Sequence, residues 1–149
     1  MTIEDKFTEI EKLPVFKDEN IVITYGRIPY DIHIELKTPK SSVVDEERPA
    51  HYSVTPNIGG GHSLSVWVWD RVPKNFVNVL LYHELKEAEF LLADGLSKEE
   101  AHNNAAELHI AYASRFLSQK DFQRFLRWQS QFEEYSDTGS FRSLLAQDS

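Results

Sequence analysis

At 149 residues, with 41% hydrophobic and 12% aromatic side chains, the chain suits a single domain built on one hydrophobic core. It has no cysteine, which excludes disulfides and thiolate metal sites. No run approaches the ~20 apolar residues needed to cross a bilayer, and Met1 to Lys6 lacks the basic start of a signal peptide. The expected setting is therefore cytoplasmic, without a membrane partner. A formal charge of −8, from 24 acidic against 16 basic residues, argues against a nucleic-acid partner, because phosphate binding needs a basic surface. The densest basic stretch, residues 115–127, is broken by Asp121 and by phenylalanines and reads as an amphipathic helix.

Ile3, Phe7 and Ile10 follow helical spacing, and Pro14 ends that short segment. Residues 20–25 are expected to form a first strand and 26–29 a turn. In residues 30–36, Ile32, Ile34 and Leu36 alternate with Asp31, His33 and Glu35, the pattern of a strand with one buried and one solvated face. Residues 37–50 are polar, contain two prolines and read as a loop. A short strand over 51–54, a glycine-rich turn over 56–61 and a Val- and Trp-rich strand over 63–69 complete the β portion.

The pattern then becomes helical. Pro73 suits a first helical turn, and Gly95 is a natural stop. Ser97-Lys98-Glu99-Glu100 is a capping-box signature for a second helix reaching about Leu117. A third stretch, about 119–134, carries Phe122, Phe125, Leu126 and Phe132 on one side. The expected fold is α+β, a small and mainly antiparallel sheet followed by a helical half. The domain spans 1–135, and 136–149 form a loosely held tail.

At ~100° per residue, Phe76, Val77, Leu80, Leu81, Ala88, Leu91 and Leu92 share one broad apolar face of the first long helix. Asn75, Asn78, Tyr82, Lys86 and Glu89 are expected to face water. Glu84 falls near the middle of the apolar face, Glu87 within it, and His83 at its border. On the second helix, His102 and His109 project near the centre of the arc of Ala101, Ala105, Ala106, Leu108, Tyr112, Ala113 and Phe116, whereas Glu107 points away.

Two helices joined by a short turn pack antiparallel, so these inner faces meet. A buried carboxylate must protonate or find a partner. Carboxylate and imidazole converging in an apolar setting is the arrangement a divalent ion requires. His83 and Glu87, at i and i+4, lie ~6 Å apart along the axis and can grip one ion, with His102 as third ligand. Three ligands leave a position for water, and Glu84 is then placed as the general base. His109 is ~10.5 Å of rise from His102, too far to share the ion. It is expected to orient a ligand from outside or to contact substrate, and an ordinary core histidine is the competing reading.

His83-Glu84-Leu85-Lys86-Glu87 resembles the His-Glu-x-x-His helix of zincin metallopeptidases, with glutamate in place of the second histidine. With Gly95 and Ala101-His102 included, it looks like a group of small bacterial and phage proteins regarded as zincin-like. The resemblance covers residues 63–118. It implies that His83, Glu87 and His102 hold zinc, that Glu84 is the base, and that a peptide or protein is the substrate. The carboxylate at Glu87 also suits Mn²⁺ or Fe²⁺. The alternative is a non-catalytic interaction domain whose Glu and His residues form a structural metal site or a metal-free polar core.

Overall fold

The computed structural model describes residues 21–37 and 49–132. The expected N-terminal helix, most of the 37–50 loop and the 136–149 tail lie outside the described residues. The elements are β1 (Ile21–Ile23), β2 (Asp31–Lys37), β3 (Ala50–Pro56), β4 (His62–Trp69), α1 (Lys74–Ala93), α2 (Lys98–Phe116) and α3 (Gln119–Gln129). This is an α+β fold, a four-stranded sheet followed by three helices. No helix among the described residues is long and apolar enough to cross a membrane.

The sheet order is β1-β2-β4-β3. β1 pairs antiparallel with β2, and β3 with β4, but the two central strands run parallel, with Ile32 opposite Leu64 and Ile34 opposite Val66. Strand alternation sends Ile32, Ile34, Leu64, Val66 and Val68 to one face, and all five are buried beneath α1. The same alternation turns His33, Ser65 and Trp67 to the other face, where Trp67 meets the ring of His51 at 5.9 Å. Trp69, two residues on, is buried against Phe132 just beyond α3. At the β3–β4 turn, Gly60 and Gly61 take positive φ angles of 105° and 76°, conformations that side chains rarely adopt.

α1 is the layer between the sheet and α2. From Val79 to Glu89 every residue is buried, including Tyr82, Lys86 and Glu89, which helical periodicity assigned to water. The turn after β1 provides the reason. The Arg27 backbone N–H donates to Glu89 Oε2 at 2.8 Å, Lys86 Nζ donates to Glu89 Oε1 at 2.6 Å, and the Arg27 guanidinium holds Asp94 through both carboxylate oxygens. The hydrogen bond from Arg27 keeps the Asp94 carboxyl below its ordinary range. Tyr82 stacks on Tyr112 of α2 at 4.9 Å. A loop distant in sequence thus covers the helix face that the local pattern left polar.

α1 and α2 reverse direction through Gly95, whose φ of 65° is left-handed, and the Leu96 N–H donates back to the Phe90 carbonyl. Ser97 then starts α2 with both hydrogen bonds of a capping box, Glu100 N–H to Ser97 Oγ and the Ser97 N–H to the Glu100 carboxylate. Ser97→Ala is expected to lower unfolding free energy by about 1 kcal/mol. Leu80→Ala, in the buried core, is expected to lower it by about 2–5 kcal/mol. Urea unfolding of both variants checks this, and equal losses would contradict a purely local cap.

Candidate metal centre

The antiparallel α1–α2 pair brings together His83 and Glu87 from α1 and His102 and His109 from α2. His102 Nδ1 lies 2.9 Å from Glu87 Oε1, and His83 Nε2 lies 3.4 Å from the same oxygen. One donor atom from each of His83, Glu87 and His102 falls within 4.8 Å of the other two. Donors around a tetrahedral zinc, each bonded at ~2.0–2.2 Å, lie ~3.4 Å apart, so small side-chain adjustments close this trio on one ion. The group can hold a metal ion.

Helix geometry sets the spacing. His83 and Glu87 are one turn apart on the buried side of α1, and the Gly95 reversal places the first turn of α2 opposite them. His102, near the start of α2, is therefore level with Glu87, while His109, nearly two turns further along, is level with His83. The ring centroids of His83 and His109 are 4.8 Å apart, and their Nδ1 atoms meet at 2.7 Å. His109 Nε2 continues to Gln129 Oε1 at 2.8 Å. A linear network thus runs from Gln129 on α3 through His109, His83 and Glu87 to His102.

Burial is graded along this network. The side chains of His83 and Glu87 are 0% and 3% exposed, and that of His102 is 20% exposed. His102 is therefore the edge of the trio that reaches solvent. Burial works against charge on Glu87, but its polar contacts with His102, His83 and Tyr52 outweigh it and hold the carboxyl well below its usual range. Burial drives the His83 and His109 rings below the ordinary imidazole value, His109 further than His83. Glu87 is thus an anion and both inner rings are neutral near pH 7, the protonation states a cation requires of its ligands.

Sequence periodicity placed His83 at a helix border, and the structure buries it completely. Glu84 is also fully buried, but its carboxylate is not among the donor atoms gathered within 4.8 Å. His109 does not join the trio and instead contacts His83. Two partners escaped the sequence reading. Tyr52 sits at an inward position of β3, opposite Val66, and its hydroxyl donates to Glu87. Gln129 follows Phe125 and Leu126 at i+4 and i+3 on the inner stripe of α3, and a polar residue in that register was the available signal. Comparison with known protein families, with curated proteins and with solved structures finds no match to this chain.

The neutral inner rings give stability a pH dependence with a definite sign. Unfolded histidines take up protons below about pH 6.5, whereas His83 and His109 in the fold resist doing so. Without metal, stability is expected to fall as pH drops from 7 to 5, by at most about 1.4 kcal/mol per pH unit for each histidine. The Glu87 contribution disappears only below its ordinary value of 4.5, outside that window. Urea unfolding in the presence of a chelator measures the slope, and a flat profile between pH 7 and 5 would contradict two buried neutral rings.

Proposed function

We infer that this chain is a metal-dependent hydrolase of the zincin type, acting on a peptide or protein, with a divalent ion held by His83, Glu87 and His102. The observation that carries the reading is the gathering of two imidazoles and an ionised carboxylate within 4.8 Å, at i, i+4 spacing on one helix with a third donor from the next. The donor set suits zinc, and its carboxylate also admits Mn²⁺ or Fe²⁺. When bound, such an ion supplies Lewis acidity toward a carbonyl and lowers the pKa of water. His83 and Glu87 hold the site from the sealed side, and His102 holds it from the side that reaches solvent. Tyr52 fixes the Glu87 carboxylate. Glu84, beside His83 on the buried face of α1, is assigned the proton-accepting role.

A specific observation favours a second reading. Glu84 and His83 are both fully shielded and Glu87 nearly so, as in a closed structural site of a non-catalytic interaction domain. Glu84→Gln separates the two. For the hydrolase it is expected to keep one equivalent of zinc while lowering peptide hydrolysis by at least about 100-fold, the usual contribution of a general base. Elemental mass spectrometry and a peptide-library cleavage assay on the same preparations provide both numbers. Undiminished cleavage by the Glu84→Gln protein would remove Glu84 from the mechanism.

A further inference from the structure

We propose that Gln129 is a positioning residue whose amide sets which nitrogen of His83 carries the proton, and that entry of a divalent cation reverses this setting through His109. The inference rests on the metal-site reading and extends it to α3, from which the trio receives no ligand.

A neutral imidazole has one N–H and one lone pair, so a chain of two touching rings has a direction. The Nδ1 atoms of His83 and His109 are 2.7 Å apart, and one of them must donate to the other. Gln129 Oε1 faces His109 Nε2 at 2.8 Å, and an amide oxygen only accepts. With the amide turned this way, His109 carries its proton on Nε2 and accepts at Nδ1 from His83. That leaves His83 with a lone pair on Nε2, turned toward the Glu87 oxygen 3.4 Å away. A lone pair facing an anionic oxygen is unfavourable by itself, and a cation between the two removes the conflict. This direction of the chain is the metal-binding one.

The opposite direction serves the protein without metal. A half-turn of the Gln129 amide exchanges oxygen for NH₂ at the same position, so that the amide donates to His109 Nε2. His109 Nδ1–H then donates to His83 Nδ1, and His83 Nε2–H donates to Glu87. A carboxamide offers an acceptor and a donor of similar size at one site. Gln129 is fully buried, and among the described residues the amide's other end, Nε2, has no hydrogen-bond partner, so no second contact fixes its orientation. On reversal, the proton of His109 Nδ1 crosses to His83 Nδ1. The proton on His83 Nε2 passes to solvent, solvent supplies one to His109 Nε2, and both rings remain neutral.

Long-range ¹⁵N–¹H NMR of the histidine rings, with and without one equivalent of zinc(II), reads the tautomers directly in the wild-type protein. The expected result is His83 protonated on Nε2 and His109 on Nδ1 without zinc, and the reverse with it. In Gln129→Met, chelator competition is expected to show zinc affinity weakened about 10–100-fold, as for other outer partners of metal-bound histidines. A purely structural role for Gln129 would lower thermal stability and leave affinity and tautomers unchanged. Zinc binding without a tautomer change, or wild-type affinity in folded Gln129→Met, would overturn the inference while leaving the metal site intact. Absence of zinc binding by the wild type would overturn the metal site and, with it, the coupling.

Discussion

The arrangement of this molecule turns on an ionised carboxylate held inside a helix pair. Glu87 is almost completely removed from water, yet polar contacts with His102, His83 and Tyr52 keep it charged. A buried carboxylate in apolar surroundings is expensive unless several donors converge on it. Three elements deliver the groups around Glu87: α1 supplies His83, α2 supplies His102 and β3 supplies Tyr52. The tight Gly95 reversal and the Ser97 cap can be understood as the devices that set the register of α2 against α1, so that His102 arrives level with Glu87.

The rest of α1 obeys a related constraint. α1 is buried from Val79 to Glu89, and Glu87 and Glu89 find partners on two opposite faces of it. Toward α2, imidazoles surround Glu87. On the other side, Lys86 and the Arg27 turn hold Glu89, and Arg27 extends the contact to Asp94. The chemistry of the two acidic sites differs. Glu89 is bound by a full cation and a backbone N–H, and its charge is already balanced. Glu87 faces the neutral His83 ring, and with His83 and His102 it forms a group that can hold a metal ion. This contrast, rather than the count of acidic residues, distinguishes the candidate site from the structural one.

Much of the fold was legible in the sequence. Alternation of Ile32, Ile34 and Leu36 marked a strand, and Ser97 with Glu100 marked a helix start, because those signals depend on neighbours within a few residues. The parallel pairing of β2 with β4 was not legible, since partner choice between distant strands leaves little local trace. Likewise Tyr82, Lys86 and Glu89 read as solvent-facing because their partners are remote in sequence: Arg27, 62 residues before Glu89, holds the Glu89–Lys86 pair, and Tyr112 of α2 stacks on Tyr82. Of the site, His83, Glu87 and His102 were marked as a convergent group by polar residues on apolar helix faces, and the structure gathers them. Tyr52 and Gln129 were missed as partners because each reaches the network from a different element, although the polar Gln129 on the inner stripe of α3 was a local signal.

The most direct test of the central claim, that His83, Glu87 and His102 form one ion site, is the metal content of the purified protein and of its His83→Ala and Glu87→Ala variants. Elemental mass spectrometry after dialysis against trace zinc is expected to find close to one equivalent in the wild type and a loss in both variants. Zinc retained by folded His83→Ala and Glu87→Ala proteins, or absent from the wild type, would contradict the account and leave these residues as a hydrogen-bonded polar core.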